Sequence, residues 1–187
     1  MSNPMITVIN ALYGIPGTVV DITTQVQNIF DQQYGSNNNT LAFTLQNIQP
    51  SLFNIPDPAY GSVKTLTIVY NLPKVGTDVF MRGAQDSQNL TLTAGPARTI
   101  QVKQAVYASP NVGLDVTAKL NAYLRDPGNS AALEVDAQRP FRDALTDGAD
   151  IDPYVTKYFS VSYTDTASPS RGTMNLCGYV GQTVNIS

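Results

Sequence analysis

Apolar residues fall on every second position in "TLAFTLQ" from Thr40 to Gln46, in "KTLTIVY" from Lys64 to Tyr70 and in "NLTLT" from Asn89 to Thr93. This alternation puts one face of each segment in a core and the other outside, and it predicts half-buried strands. Ile6, Val8, Ala11 and Tyr13 alternate more loosely and predict another. One stretch has a different period. Ile22, Val26, Ile29 and Phe30 recur at i, i+4, i+7 and i+8, as do Val116, Leu120, Tyr123 and Leu124, which predicts a short helix in each place. Thr23 or Thr24 would open the first helix, with Gln27 closing a capping box on Thr24, and Asp126-Pro127-Gly128 would stop the second.

The two helical stretches belong to a longer repetition. "ITVINALYGIPGTVVDITTQV" lies over "IQVKQAVYASPNVGLDVTAKL" without a gap, pairing Ile6 with Ile100, Tyr13 with Tyr107, Asp21 with Asp115 and Thr23 with Thr117. Further on, Asp57-Pro58 faces Asp152-Pro153, and Lys64, Leu66, Ile68 and Tyr70 face Lys157, Phe159, Val161 and Tyr163. At the end, Gln88 and Leu92 face Gln182 and Ile186. A period this long exceeds the roughly 20–50 residues of solenoid repeats, so each copy reads as a small domain. The expected domains are 1–94 and 99–187, with 95–98 as a linker inside "TAGPAR". The expected fold class is all-β: two tandem small antiparallel β-sandwiches, each with one short helix.

Composition narrows the chemistry. Charged residues make up only 13% of the 187 residues, net charge is −3, and there are no histidines and a single cysteine. An acidic chain without a basic field is a poor match for nucleic acid or anionic lipid. His-dependent catalysis, the usual zinc sites and an internal disulfide are all excluded. Cys177, in the apolar run "TMNLCGYV", reads as a small buried residue. The sequons at Asn38, Asn89 and Asn185 read as accidents of an Asn- and Thr-rich chain. "MSNPMITVINALYG" lacks the basic and apolar regions of a signal peptide, and no segment has the apolar length of a membrane span. The expectation is a cytoplasmic protein, or one exported without a classical signal peptide.

The ordered set "A-x-YG", "VVDITTQVQ", "L-x-F-x-L", "DPAYG-x-V-K-T-L-T-I-V-Y" and "NLTL" resembles a domain of unknown function known from the C-terminal end of a mitochondrial J-domain protein, with related copies in fungal and bacterial proteins. Asp21, Thr23, Asp57, Pro58, Gly61, Lys64 and Tyr70 carry the resemblance in the first copy. Asp115, Val116, Thr117, Asp152, Pro153, Lys157 and Tyr163 carry it in the second, where Ala108 replaces the glycine of "YG" and the glycine of the Asp-Pro turn is missing. The resemblance implies a non-catalytic module of interaction or assembly settings and supplies no catalytic residues. No J-domain accompanies it here.

Asp21 and Asp115 read as helix caps, and Asp57 and Asp152 as Asx-turn residues before proline, with Lys64 and Lys157 pairing to them at the surface. Tyr13 and Tyr107, identically placed, read as core. In "RDALTDGADIDP", an acidic loop, Asp147, Asp150 and Asp152 are the one candidate set for a cation, calcium by their oxygen chemistry, although the spacing matches no EF-hand. Candidate ligand-binding residues are Tyr34, Asn37, Asn38, Asn39, Tyr60 and Tyr154, because an aromatic face beside amides can stack on a sugar ring while the amides bond its hydroxyls. The functional expectation is a non-enzymatic binding protein without a cofactor, whose ligand is a glycan or another protein. The alternative is a self-assembling structural protein forming an oligomer or lattice; a glycosidase would need two carboxylates facing across a cleft.

Overall fold

The computed structural model describes residues 6–35, 42–74, 76–93, 98–126, 128–135 and 139–186. In the first half these form β1 (Thr7–Ile15), β2 (Thr18–Asp21), α1 (Thr23–Tyr34), β3 (Ala42–Leu45), β4 (Thr65–Asn71), β5 (Val79–Gln85) and β6 (Leu90–Thr93). The second half repeats the series with β7 (Ile100–Ala108), β8 (Gly113–Asp115), α2 (Thr117–Arg125), β9 (Ala132–Glu134), α3 (Arg139–Thr146), β10 (Tyr158–Asp165), β11 (Met174–Tyr179) and β12 (Thr183–Asn185). Sheets run β2-β1-β4-β5 and, identically, β8-β7-β10-β11, each accompanied by a two-stranded sheet, β3-β6 or β9-β12. All pairings are antiparallel, so the chain is all-β with short helices.

The second repeat has two helices where the pattern predicted one. The run from Arg142, expected to be a loop throughout, begins inside α3, which seats Phe141, Ala144 and Leu145 in the core. Asp143 accepts from the Arg142 guanidinium at 2.6 Å, and Thr146 Oγ1 donates to the Arg142 backbone carbonyl.

A bulge in the first strand of each repeat explains the loose alternation there. Register shifts between Val8 and Asn10 in β1, and between Gln104 and Val102 in β7. A carboxamide bonds to the backbone beside each bulge. Gln27 Oε1 accepts from the Val8 N–H and its Nε2 donates to the Ile6 carbonyl, while Asn121 bonds both the N–H and the carbonyl of Val102. Gln27 is therefore engaged with β1 and does not close a capping box on Thr24.

The repeated Asp-x-Thr is a latch between helix and strand. Asp21 accepts from the Thr23 N–H at 2.9 Å, and Asp115 from the Thr117 N–H at 2.8 Å, which meets part of the demand of the exposed helix N-terminus. The threonine hydroxyl then accepts the Ala11 or Ala105 N–H, at 2.9 Å in both repeats. The same hydroxyl donates to the aspartate, at 2.6 Å in the first repeat, and this bond first, with the threonine N–H second, holds the carboxyls of Asp21 and Asp115 below the usual carboxylate range.

The halves stack as layers. The first core lies between the sheet β2-β1-β4-β5 and a layer of α1, β3 and β6, with Tyr13, Phe30, Phe43, Phe53, Ile68 and Tyr70 at its centre. The second core lies between α2, α3, β9 and β12 and the sheet β8-β7-β10-β11. It also takes in Met81, with Val69 and Val79 packed against it, from the far face of the first sheet. Helices of the second repeat thus cover the outer face of the first sheet, and the outer face of the second sheet has no covering layer among the described residues.

A buried polar knot fastens the seam. Asp126, fully buried, accepts from Tyr70 Oη at 2.8 Å and from the Gly128 N–H at 2.8 Å, and lies 3.5 Å from Arg82. Asn129 donates to the carbonyls of Met81 and Tyr123, and its own carbonyl accepts from Arg98. Burial raises the pKa of Asp126 even though Gly128, Arg82, Tyr70 and Arg98 all pull it down.

Candidate functional site: the open sheet face

Strand alternation decides what the uncovered face presents. In β10, Phe159, Val161 and Tyr163 point into the core, so Tyr158, Ser160 and Ser162 point out. Register then places Tyr158 between Ala108 and Tyr179, Ser160 between Val106 and Cys177, and Ser162 between Gln104 and Asn175. The result is a ladder of hydroxyls and amides headed by two half-exposed tyrosines in adjacent strands. Gln104, Val106, Ser160, Ser162, Asn175 and Cys177 line a groove of 390 Å³ on this face.

Two of four equivalent positions are apolar on the covered face and polar on the open one. Leu12, Thr67, Val69 and Met81 of the first sheet correspond to Val106, Ser160, Ser162 and Asn175 of the second. Val69 and Met81 bury against α2 and α3; their counterparts are polar. The helix face that α2 presents to the first sheet carries Ala118 and Ala122, whereas α1 has Thr24 and Asn28 at those places, both exposed. Each end of the stack is therefore polar where the seam is apolar, as a terminal repeat in contact with water must be. A groove of 500 Å³ remains in the seam, lined by Leu12, Val69, Val79, Met81, Ala118 and Ala122 among others.

Exposed apolar side chains gather at one end of the open face. Val112, Tyr154, Tyr158, Tyr179 and Val180 are all exposed there. The β7–β8 turn carrying Val112 is tied to the loop carrying Tyr154 by Asp152, which accepts from Ser109 Oγ at 2.5 Å and Asn111 Nδ2 at 3.0 Å. Val180 is tied to the same loop's end by its N–H donating to the Lys157 carbonyl. Tyr154 stands fully in solvent with φ of 64°, a left-handed conformation uncommon outside glycine, where the first repeat instead uses Gly61 at φ 77°.

The residues expected to bind ligand do not form one site. Tyr154 borders the open face. Tyr60 is 94% exposed on the first repeat's Asp-Pro turn. Tyr34 packs against Phe30 and Phe43, and its hydroxyl accepts the Thr44 N–H. Asn37, Asn38 and Asn39 lie outside the described residues. Tyr13 and Tyr107 are core residues. Tyr158, Ser160, Ser162, Asn175 and Gln104 lie on strands, away from the loops that carry the expected residues. The available signal was a comparison of outward positions between the two aligned strands, where Val69 becomes Ser162. Cys177, expected to be buried, is exposed on this face because its strand alternates Leu176 and Gly178 inward.

The acidic run divides its carboxylates. Asp147 pairs with Lys119, Asp150 with Lys157 at 2.9 Å, and Asp152 bonds Ser109 and Asn111. Among the described residues no three His, Cys, Asp or Glu side chains are grouped to hold a metal ion. Asp57 makes its Asx turn, accepting from the Ala59 N–H at 2.9 Å, but Asp152 spends its carboxylate on the neighbouring β7–β8 turn. Lys64 pairs with Asp57 as expected and Lys157 pairs with Asp150 instead of Asp152, but both lysines are buried and not at the surface. Lys64 is 4% exposed and lies 3.1 Å from Asp57 and 3.3 Å from Asp86, which also accepts the Tyr13 hydroxyl. Burial lowers the Lys64 pKa, but hydrogen bonds and charge from Asp57 and Asp86 outweigh it and leave the pKa raised. No helix among the described residues is long and apolar enough to cross a membrane.

Fold and face together define a duplicated all-β protein with one open sheet surface whose groove residues are uncharged. Comparison of the chain with protein-family models, with characterised proteins and with solved structures found no match.

Proposed function

We propose that the chain is a non-enzymatic binding protein and that its ligand is a neutral glycan held on the open face of β8-β7-β10-β11. The observation that carries this reading is the pairing of Tyr158 and Tyr179, 48% and 51% exposed, at the head of a groove lined by Gln104, Ser160, Ser162 and Asn175. Tyrosine rings supply apolar stacking area, and hydroxyls and amides both donate and accept, which matches the hydroxyl-rich edge of a sugar ring. None of these groove residues is charged; Lys103, exposed beside Gln104 in the β7 bulge, donates to Gln101 Oε1 at 2.8 Å, so a sialylated or uronic-acid glycan would have that one lysine to offset its lost hydration.

A protein ligand fits this face less well, because protein interfaces concentrate apolar side chains at their centre and here the centre is Ser160, Ser162 and Asn175. Head-to-tail lattice growth through copies of the internal seam fits less well for the same reason, since both end faces are polar. The reading is compatible with the non-catalytic module implied by the resemblance of Asp21, Thr23, Asp57, Pro58, Gly61, Lys64 and Tyr70 to the J-domain-associated family.

A glycan array probed with the full chain tests this. Binding is expected to cluster on neutral glycans and to be insensitive to chelators. Tyr179→Ala is expected to lower affinity at least tenfold, about 1.4 kcal/mol or more for a lost aromatic stacking surface. A blank array, binding confined to acidic glycans, or unchanged affinity in Tyr179→Ala would contradict the assignment.

A further inference from the structure

The open face ends at an unguarded strand. Val180, just past β11, donates its N–H to Lys157 beside β10, so the backbone groups of Gly178, Leu176 and Met174 turn toward β10 and those of Tyr179, Cys177 and Asn175 turn away. At Tyr179 both outward groups are used within the turn: its N–H donates to Gln182 Oε1 at 3.2 Å and its carbonyl accepts the Gln182 N–H at 2.9 Å. The N–H and carbonyl of Asn175 and of Cys177 have no hydrogen-bond partner among the described residues.

Edges of this kind are normally blunted by proline, charge or a bulge. β11, "MNLCGY", contains neither proline nor charge and runs in unbroken register with β10. The corresponding edge in the first repeat is partly covered. There the Met81 carbonyl accepts from the Asn129 side chain, and the Arg82 guanidinium donates to the Gly128 carbonyl, so the second repeat's own chain lies against it. The second repeat has no third repeat to do the same.

We propose that a second copy of this chain closes it, by antiparallel pairing of β11 with the partner's β11 about a twofold axis at Leu176. Asn175 of each chain then faces the partner's Cys177, and the four outward groups of each strand are satisfied reciprocally. A strand edge with no charge is self-complementary under such an axis, because identical copies bring no like charges together. The axis stands perpendicular to the sheet, so the two four-stranded sheets join as eight strands with both tyrosine-headed grooves on one side. The assembly is a closed dimer, and it does not depend on what those grooves bind.

Sedimentation velocity of the full chain over a wide concentration range, combined with cross-linking at Cys177, tests the pairing. In the proposed register the two Cys177 residues are diagonal neighbours, about 7–8 Å apart, and Cys177 is the chain's only cysteine. A reversible dimer is expected, trapped in good yield by a short bismaleimide. Cys177→Pro removes an outward N–H without touching the β10 ladder, and is expected to weaken dimerisation at least tenfold with its circular dichroism unchanged. The cross-link on the unaltered chain gives an independent reading if that variant folds poorly. A chain that stays monomeric at every concentration, its edge left for some other protein's strand, would overturn the proposal. So would a dimer that fails to cross-link at Cys177, or one that persists undiminished in a folded Cys177→Pro.

Discussion

Replacing Lys64 by methionine separates a buried charge network from a surface ion pair. The Lys64 ammonium, with its side chain 5% exposed, lies between Asp57 and Asp86 and donates to the Ser62 carbonyl at 2.8 Å. Methionine preserves most of the apolar stem and removes the charge, leaving two carboxylates without their cation. Breaking a buried pair from one side costs about 3–5 kcal/mol when both partners are dry. Here Asp57 and Asp86 keep 30% and 19% of their side-chain exposure, so water recovers part of the loss. The expected destabilisation is about 2–3 kcal/mol after that discount. Lys157 provides an internal control, because it has one carboxylate partner, Asp150, whose side chain is 38% exposed. Lys157→Met is expected to cost about 1 kcal/mol. Urea denaturation at neutral pH, with the slope checked against the unaltered chain, measures both. A cost below about 0.5 kcal/mol for Lys64→Met, or equal costs for the two variants, would refute the network reading. Because the Lys64 pKa is raised in the fold, its stabilisation is fully present below the ordinary lysine value of 10.5 and is lost as pH climbs through the raised one.

Other consequences follow from the same geometry. Thr23→Val or Thr117→Val leaves the buried Ala11 or Ala105 N–H without an acceptor and is expected to cost about 1–3 kcal/mol by urea melt; costs near zero would mean the latch is not needed. Asp126 has a folded pKa raised above the ordinary 3.8, so between those two values the folded chain binds more protons and stability falls as pH rises. Asp126→Asn keeps an acceptor for Gly128 and Tyr70 and should flatten that fall when melts are compared from pH 4 upward; an unchanged slope would assign it to other groups. Asp57 and Asp150, both held below the usual range, act in the opposite direction, and their contribution is lost on acidification. In Asp57 the backbone N–H of Ala59 is the first cause; in Asp150 burial opposes the shift and Lys157 overrides it.

Strand faces, the two helices opened by Asp-x-Thr and the duplication were legible in the sequence, because each is written in local periodicity or in aligned identities. Tyr13 and Tyr107 were placed in the core on the same grounds. The pairing of Lys64 with Asp57 was legible, but the burial of Lys64, its second partner Asp86 and the role of Gln27 were not. Gln27 has the spacing of a capping residue, but a bulge seventeen or more residues earlier in the chain leaves a backbone N–H that competes for its carboxamide, and the tertiary partner wins. Lys64 follows a surface turn in sequence, yet the strand it opens lies beside Asp86, brought there by the β4–β5 pairing. Helix α3 was hidden because its apolar residues, Phe141, Ala144 and Leu145, sit among acids that suggest a loop. The open face was missed because which of two equivalent sheets is covered depends on how the repeats stack. Val69 and Ser162 occupy the same place in their strands, and their difference in polarity gains its meaning only once the stacking shows what lies above each.

The most direct test of the central claim uses Cys177 as a reporter on the open face. Its alkylation by a small maleimide is followed by mass spectrometry at a protein concentration low enough to keep the chain monomeric, with and without a saturating neutral oligosaccharide chosen from the array. Ligand on the groove of Gln104, Ser160, Ser162 and Asn175 is expected to slow alkylation at least tenfold, and the protection is expected to vanish in Tyr179→Ala. An alkylation rate unchanged by a bound glycan would place the ligand elsewhere on the molecule and contradict the account.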